Sequence, residues 1–568
     1  MSGDEEALYR TRWLNYPYPR GGTVDPRANT RGAIRLERYK RPPKRPNLLD
    51  DAPGLGDAKF QMVRERFQRA STWFQKKGPF EFVRPLGYGG LGLTLQYKYT
   101  DIAPVMNLVL KIAIRGWDDK SLRNEEENTR QVARAAHCIQ MIPPEKVGMR
   151  PKKRSRFRPQ NHFDSSDEGI SSGEESRGEE PKEKPKSRRW RLQNERQKTK
   201  VKLQLLSDRM EIWRDLVKQR NARLQARAIK RQQEGEASQA STTDDPLDEE
   251  WELDYKDYLL LEFAENGDLA NFIYKTNEMR EKVPNRVLWS FWLCLVSACV
   301  AMEYPPRKFH PKRRDPDPAD VEGLPAMDFV DLNSETRGKR IGPDLYEDVP
   351  DPSRRWAGKR QVHFDIDPKN IFIYGFDPNT KDNEHKLIPR LKLADFGLAQ
   401  TVKPNKGNGY YWHKRGTGKL GYYTPEQFGE DWDYVRAPWI YGPEISEQPV
   451  AGNYGAHTNV WSIALSLWQL MTGARVPFPP VVAPPEDPND PNAPVSYCTL
   501  INTHQRYAYI DADLRRTVYR CMMHRPADRP SLLTLMNEAK EGIKRSYPGE
   551  SDEEISAWVA KLLYNAPS

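Results

Sequence analysis

The stretch HFDIDPKN, residues 363–370, decides how this sequence is interpreted. It places an acid, Asp365, and an amide, Asn370, five residues apart on a short segment between apolar stretches. A loop carboxylate can accept a proton, and carboxylate and amide oxygens are the hard ligands that Mg2+ prefers. A third oxygen donor, Asp395, begins the later triplet DFG. Each of these residues taken alone could simply cap a turn.

Glycines recur in LGYGGLG, residues 86–92, at Gly87, Gly89 and Gly92. Glycine lets backbone N–H groups approach phosphate oxygens closely. A GxGxxG pattern also opens dinucleotide-binding folds, where it joins a strand to a helix. Here the residues that follow, LTLQYKY (93–99), alternate like a strand. The pattern therefore favours a flap that covers phosphates between two strands.

One lysine, Lys111, interrupts the apolar strand NLVLKIAI, residues 107–114. Its ammonium group must be paired or lie at an exposed strand edge, because burying it alone is costly. A charged helix is predicted over residues 122–136, and it offers three consecutive glutamates, 125–127. Glu125 is the favoured partner, because apolar residues follow it at seven, ten and eleven positions, near the same helical face.

Strands in the early part and helices in the later part predict a two-lobed α+β architecture. The glycine loop, strand lysine, helical glutamate, HxDxxxxN, DFG and a later Pro-Glu at 425–426 follow one another in this order. In this set the sequence resembles the eukaryotic protein kinase superfamily over residues 87–529, and HFDxDPxN resembles a divergent, fungal-like Ser/Thr-type branch. The resemblance implies a bilobal kinase fold with a β-rich N-lobe and a helical C-lobe.

The resemblance also implies ATP as a cofactor. The three glycines would cover its phosphates, and Lys111 would bind the α- and β-phosphates while it pairs with Glu125. Backbone groups from Glu262 to Ala264 would hold the adenine, and Asp268 would face the ribose. The implied cofactor-binding residues are Gly87, Gly89, Gly92, Lys111, Glu125, Glu262, Ala264 and Asp268.

The implied reaction is Mg2+-dependent transfer of the γ-phosphoryl group of ATP to Ser or Thr of a protein substrate. Asp365 would orient the attacking hydroxyl and accept its proton, and Asn370 and Asp395 would hold Mg2+. Glu426, in a Thr-Pro-Glu triplet, would pair with Arg529. The expected enzyme is thus a Ser/Thr protein kinase whose partners are ATP and a protein substrate.

Three residues near the predicted reaction centre need a specific interpretation. Asp367 stands where Ser/Thr kinases carry a lysine that neutralises the γ-phosphate, which is a charge reversal beside a polyanion. Lys369 is the predicted compensating catalytic residue, at the position where tyrosine kinases place an arginine. Phe364 replaces the usual arginine, so a phosphate on the activation segment has no arginine anchor there. The sequence therefore predicts an activation segment that is constitutively set or differently regulated.

Changes in composition along the chain suggest its organisation. Residues 1–58, rich in Pro, Arg and Gly, predict a disordered basic tail, and 143–250 predict a low-complexity insertion with a basic helix near 191–233. The remaining predicted segments are the first part of the N-lobe at 59–142, its end and the hinge at 251–264, the C-lobe at 265–547 with a polar insertion at about 305–359, and a C-terminal tail at 548–568.

Charge and cysteine content limit the classes of protein. The net charge is +10, but 80 acidic residues mean that charge alone does not indicate nucleic-acid binding. Five scattered cysteines without a CxxC pair favour a reducing compartment and argue against disulfides and a zinc site. The apolar stretch 287–302 is interpreted as a buried helix, since it is short for a membrane span. We expect an intracellular protein, nuclear or cytoplasmic, without a membrane partner.

Two other functions stay open at this point. A pseudokinase would bind nucleotide or partners as a scaffold without turnover, and Asp367 is the best argument for it. The retained Lys111, Asp365, Asn370 and Asp395 favour activity instead. The basic insertion could bind a partner protein, a nucleic acid or an import receptor, and each of these is compatible with kinase activity.

Overall fold

Residues between 80 and 113 form three consecutive antiparallel strands, as the predicted glycine loop between two strands and the predicted apolar strand over residues 107–114 indicate. These are β1 (Phe80–Tyr88), β2 (Gly92–Tyr99) and β3 (Met106–Ala113), and β4 (Tyr258–Glu262) completes the sheet in the order β1-β2-β3-β4. The computed structural model describes residues 37–40, 58–76, 78–88, 92–114, 121–149, 258–305, 346–350, 357–377, 385–419, 421–429, 431–432, 435, 444–477, 480–484 and 494–564.

Helix α1 (Ala58–Lys76) lies at the start of the predicted N-lobe segment 59–142 and packs on this sheet. The buried Phe74 ring lies 5.2 Å from the ring of Phe80, 5.4 Å from that of Tyr97 and 5.6 Å from that of Tyr258. These three residues belong to β1, β2 and β4. One aromatic cluster therefore joins the helix to three strands, with the edge-on and tilted geometries that aromatic pairs prefer.

Helix α2 (Ser121–Gln131) ends earlier than predicted, so the expected helix over residues 122–136 was too long. The chain turns after Gln131, and Arg134 adopts a φ of 70°, which is uncommon for a residue with a side chain. Gln140 Nε2 donates to three carbonyls of this turn at 2.9 to 3.3 Å. This side chain therefore stabilises the turn that follows the helix.

The later part of the chain is mainly helical. Its helices are α3 (Leu269–Glu278), α4 (Asn285–Glu303), α5 (Asn408–Arg415), α6 (Pro425–Phe428), α7 (Ala456–Thr472), α8 (Ala512–Cys521), α9 (Leu532–Gly542) and α10 (Asp552–Leu563). Two short antiparallel strand pairs lie among them, β5 (Gln361–Val362) with β8 (Gln400–Thr401) and β6 (Ile371–Ile373) with β7 (Leu391–Leu393). A separate antiparallel sheet followed by helices makes this an α+β fold, as predicted.

Helix α4 forms the centre of the helical part. Among the described residues it is the one helix long and apolar enough to cross a membrane, yet 94% of its most apolar window is buried inside the protein. Its Trp289 is buried, and the indole N–H donates to the Tyr547 hydroxyl at 2.9 Å. The helix is therefore a core element, as the interpretation of residues 287–302 as a buried helix predicted.

Helix α10 corrects part of the predicted C-terminal tail over residues 548–568. Ile555, Val559 and Leu562 are buried at spacings of four and three residues, which is the pattern of an amphipathic helix. Ser551 and Glu554 form a capping box at its start. The apolar stripe packs on the core, so this part of the chain is a folded element and not a tail.

Two further segments pack on the core although the sequence assigned them to a tail and an insertion. In the predicted tail 1–58, the Tyr39 N–H donates to the Gly473 carbonyl at 2.9 Å, and the Arg475 N–H donates to the Glu37 carbonyl at 2.7 Å. In the predicted insertion 305–359, Glu347 is buried. The basic helix predicted near 191–233 lies outside the described residues, all of which belong to the unit Met1–Lys152 and Tyr255–Ser568.

Candidate active site

Lys111 lies at the centre of a buried charged cluster. It stands on β3 opposite Thr94, and its Nζ donates to Glu125 Oε1 at 2.7 Å and to Asp395 Oδ1 at 2.9 Å. Burial alone would lower the pKa of the Lys111 ammonium, but the two carboxylates outweigh burial and raise it. Lys111 therefore stays charged and joins the sheet, α2 and the DFG triplet.

Two asparagines of α2 hold the loop that begins with the DFG triplet. Asn124 Nδ2 donates to the Gly397 carbonyl at 2.8 Å, and Asn128 Nδ2 donates to two further carbonyls of the loop at 3.1 and 2.6 Å. The two side chains are four residues apart, so they lie on the same helical face. Helix α2 thus fixes the loop backbone while Glu125 pairs with Lys111.

Asp395 adopts φ 62° and ψ 62°, the left-handed region that residues with a side chain rarely occupy. The next residue, Phe396, is buried, with its ring 4.9 Å from the ring of His363. His363 Nε2 lies 3.1 Å from the Ala394 carbonyl, and His363 Nδ1 accepts the Asp365 N–H at 3.3 Å. Nε2 therefore carries the proton. Burial lowers the pKa of His363 to about 4, so the ring is a neutral support for the loop.

Asp365 and Asn370 are joined across the loop that the sequence analysis singled out. Asn370 Nδ2 donates to the backbone carbonyl of Asp365 at 2.7 Å and to its Oδ2 at 3.0 Å. The Asn370 carbonyl accepts the Ala394 N–H at 2.9 Å, which brings the loop beside the DFG triplet. Asp365 Oδ1 is buried and has no hydrogen-bond partner among the described residues. Burial raises the pKa of Asp365 to about 6, although Lys419 opposes this shift.

Lys419 is the lysine that the structure brings to the two loop aspartates, and the sequence analysis missed it. Its Nζ bonds Asp367 Oδ2 and lies 3.2 Å from Asp365 Oδ2. Gly418 has a φ of 115°, and a Cβ there would lie 2.3 Å from the Phe364 carbonyl oxygen. Glycine is therefore required for the chain to pass this close and to present Lys419. The signal that could have found it was Asp367 itself, since a buried carboxylate needs a cation.

Lys369, the predicted compensating residue, is exposed. Its backbone N–H donates to Asp367 Oδ1 at 2.7 Å. The Asp268 carboxylate caps α3 by accepting the Asn271 N–H at 2.7 Å. Burial raises the pKa of Asp268, while the hydrogen bond from Asn271 and the charge of Lys369 oppose that shift. The side chain predicted to face a ribose is thus already engaged as a helix cap.

The predicted glycine loop connects β1 and β2. Gly87 pairs with Thr94, whose Oγ1 donates to the Gly87 carbonyl at 2.9 Å. At Gly92 a Cβ would lie 3.0 Å from the Ile112 carbonyl oxygen and 3.5 Å from side-chain carbons of Lys111. The missing side chain lets β2 lie close over the lysine. Gly89 lies outside the described residues.

The predicted hinge begins at Glu262, the last residue of β4. Its carboxylate accepts hydrogen bonds from Lys392 Nζ at 2.8 and 3.0 Å and from the Gln140 N–H at 2.8 Å. Its carbonyl accepts the Tyr374 hydroxyl at 3.3 Å. Ala264, two residues later, is partly buried. These contacts fix the connection between the sheet and α3.

Glu426 and Arg529 form a buried bidentate ion pair, with Nη1–Oε1 at 2.9 Å and Nη2–Oε2 at 3.0 Å. Both side chains are 0% exposed, so water does not screen the pair. Burial alone would raise the pKa of Glu426, but Arg529 outweighs burial and lowers it. Thr458 Oγ1 also donates to Glu426 Oε1 at 2.8 Å, and the Arg529 guanidinium lies 5.3 Å from the Trp461 ring. The pair joins α6 to α7 and to the loop after α8.

Phe364 anchors the segment between the DFG triplet and α6 through apolar contacts. Its ring meets the Tyr454 ring edge-on at a centroid distance of 5.3 Å. It packs against an apolar cluster that includes Tyr411 of α5. The buried members of this cluster are Val362, Val402, Tyr411, Trp432, Val435, Ile445, Ala451 and Tyr454. Aromatic packing thus replaces the charged anchor that an arginine would offer.

Comparison with known proteins gives a distant relationship. No family model matches the chain. A mitogen-activated protein kinase kinase kinase 7-like protein of Drosophila melanogaster is 22% identical to it over 306 residues, which are 53% of this chain. The similarity points to the protein kinase superfamily. The chain spans 51% of the length of that relative, about half of it.

Proposed function

We propose that this chain is a protein kinase of bilobal fold that transfers the γ-phosphoryl group of ATP to Ser or Thr hydroxyls of a protein substrate. The observation that carries the proposal is the position of Lys111, held at 2.7 Å by Glu125 and at 2.9 Å by Asp395. Phosphoryl transfer needs such a fixed cation beside an acidic metal ligand. The distant similarity to a kinase-like protein agrees with this function.

The residues around Lys111 have the chemistry that ATP and Mg2+ require. Asp395 and Asn370 offer carboxylate and amide oxygens, the hard ligands that Mg2+ prefers. Gly92 carries no side chain above Lys111, and a glycine there would let the backbone approach phosphate oxygens closely. When bound, MgATP would supply the phosphoryl group and neutralise part of its charge.

Asp365 would accept the proton of the attacking hydroxyl. Its Oδ2 is held by Asn370, and its buried Oδ1 has no hydrogen-bond partner among the described residues. A pKa of about 6 keeps this carboxylate mostly ionised at neutral pH yet able to receive a proton.

Lys419 would supply the positive charge that is missing from the loop because Asp367 stands where Ser/Thr kinases carry a lysine. Its ammonium lies 3.2 Å from Asp365 Oδ2, next to the place where the hydroxyl would meet the γ-phosphoryl group. A fixed cation there would stabilise charge that develops in the transition state. Lys369 is exposed on the same loop and stays the alternative source of this charge.

Transfer of labelled phosphate from ATP, with Mg2+, to a mixed protein substrate tests the proposal. We expect Asp395→Asn to lower transfer by about 10²-fold or more, the scale of losing one electrostatic stabiliser. The matched control is Asp513→Asn, since that carboxylate is 65% exposed and far from the site. Phosphoamino-acid analysis of the product then separates Ser and Thr from Tyr.

Nucleotide binding, measured by thermal shift on the same samples, separates the remaining outcomes. Binding of MgATP without transfer by the wild type would support the pseudokinase alternative. If the wild type neither binds MgATP nor transfers phosphate, the proposed function is refuted.

A further inference from the structure

A second cluster of reactive side chains lies away from Lys111 and takes no part in the proposed reaction. His137, Cys294 and His385 are 1%, 1% and 0% exposed, and their donor atoms all lie within 4.8 Å of one another. They come from the turn after α2, the middle of α4 and the chain before β7. His137 and His385 are 248 residues apart in sequence, so only the fold brings them together.

The distances between the donor atoms of this cluster suit the binding of one metal ion. The Nε2 atoms of His137 and His385 are 3.2 Å apart, and Cys294 Sγ lies 4.0 Å from His385 Nε2. Zinc binds nitrogen at about 2.0–2.1 Å and sulfur at about 2.3 Å, so tetrahedral ligands lie about 3.3 Å (N–N) and about 3.6 Å (N–S) apart. The observed separations need only a small adjustment of the sulfur.

The groups behind the donors orient them toward a common centre. Glu347 is buried, and its carboxylate accepts a hydrogen bond from the backbone N–H of His137 at 2.9 Å. Its other oxygen lies 2.7 Å from the ring Nδ1 of His137. Nδ1 therefore carries the proton, and the lone pair of Nε2 points into the cluster. The Leu391 N–H donates to Cys294 Sγ at 3.4 Å, which places the sulfur as an acceptor. A carboxylate behind a ligating histidine is a recurrent arrangement in zinc proteins.

We propose that His137, Cys294 and His385 bind one Zn2+ ion, with Glu347 as the positioning carboxylate. Two imidazoles and a thiolate suit zinc and do not suit Mg2+ or Ca2+, which take oxygen ligands. The charges also balance, since the Cys294 thiolate and the Glu347 carboxylate match the two positive charges of the ion. Three protein donors leave one position for a water molecule.

The ion would tie three chain segments together behind the candidate active site. Glu347 lies in the described part of the predicted insertion 305–359, and His385 lies at the end of the chain that leads into β7. The His137 carbonyl accepts the Leu393 N–H at 2.8 Å, and Leu393 precedes Asp395 by two residues. The ion would hold these segments in place, and this does not depend on the proposed function.

Metal analysis of the purified full-length chain tests the site directly. We expect one zinc per chain, and Co2+ substitution should give an intense thiolate-to-cobalt charge-transfer band together with tetrahedral visible bands. Cys294→Ala should remove the charge-transfer band. The control is Cys299→Ala, a buried cysteine of the same helix outside the cluster, which should keep both the zinc and the band.

A further variant and the wild type cover the other outcomes. Glu347→Gln should keep the charge-transfer band and lower zinc affinity by about 10–100-fold, the effect of losing an outer carboxylate. If Cys294→Ala does not fold, the wild-type cobalt spectrum decides alone. A wild type that takes up neither zinc nor cobalt would overturn the proposal and leave a metal-free hydrogen-bonded pair of histidines. Zinc retained at one equivalent by a folded Cys294→Ala would also overturn it.

Discussion

Replacing Lys419 by Ala tests how this chain tolerates an aspartate where Ser/Thr kinases carry a lysine. The change removes the ammonium that bonds Asp367 and lies 3.2 Å from Asp365 Oδ2. It leaves the backbone in place, because Gly418, not Lys419, makes the close approach to Phe364. We expect a folded protein with a strongly reduced rate of phosphoryl transfer.

The size of the effect follows from the geometry. Two unit charges 3.2 Å apart interact by about 5 kcal/mol at an effective dielectric constant of about 20. The Lys419 side chain is 42% exposed, so solvent screening reduces this to about 2–3 kcal/mol. If a transition-state phosphoryl oxygen takes a similar place, kcat falls by about 10²-fold. KM for ATP should change little, since Lys111 is untouched.

The assay compares kcat for three lysine variants under the same conditions. Lys544→Ala is the control, because Lys544 is 67% exposed and its ion pair with Glu541 contributes little. Lys369→Ala is the competing variant. Loss of transfer in Lys369→Ala with full activity in Lys419→Ala would refute the reasoning and restore the interpretation based on sequence alone.

Three further predictions concern the position of Lys419, the buried ion pair between Glu426 and Arg529, and the pKa of Asp365. Gly418→Ala should lower kcat by about 10²-fold, because the new Cβ would lie 2.3 Å from the Phe364 carbonyl oxygen and displace Lys419. Gly421→Ala is the control and should keep more activity, since Gly421 also has a positive φ but open space around its Cβ. Arg529→Met should lower the free energy of unfolding in urea by about 3–5 kcal/mol, since it leaves Glu426 buried and unpaired. The rate of transfer should fall about tenfold for each pH unit below about 6, since Asp365 must be deprotonated to act as a base.

Each of these predictions has a result that contradicts it. Equal rates for the two glycine variants would show that the position of Lys419 does not limit the rate. A cost below about 1 kcal/mol for Arg529→Met would mean that the buried pair behaves like a surface pair. A rate that is flat between pH 5 and 7, at constant stability, would exclude Asp365 as the titrating base.

Local sequence patterns were enough to predict the type of several helices and strands. The alternation over residues 93–99, the apolar runs of β3 and α4 and the charged helix before Gln131 all gave the right element type. The chosen partner Glu125 lies 2.7 Å from Lys111 in the structure, although the apolar residues that favoured it follow α2, which ends at Gln131. Local periodicity was sufficient wherever one face of an element is buried.

Features made by long-range contact could not be predicted in the same way. Lys419 lies 52 residues from Asp367, and nothing beside either residue marks the other. The proposed zinc ligands His137, Cys294 and His385 share no short spacing, so the absence of CxxC pairs in the sequence could not indicate them. Helix α10 was missed because its polar residues outnumber its buried stripe of Ile555, Val559 and Leu562, and the stripe has meaning only against the core it covers.

The aromatic anchor at Phe364 also has a consequence for how temperature acts on the protein. An arginine–phosphate anchor is removed by phosphatases and weakened by salt, because it depends on the charge of the phosphate. The apolar cluster that holds this segment, which includes Val402 and Tyr411 and packs against Phe364, depends on apolar burial, and such stabilisation weakens on cooling. The segment between the DFG triplet and α6 should therefore loosen in the cold while salt and phosphatase leave it in place. Cold, not added salt, is the condition to which this packing makes the segment sensitive.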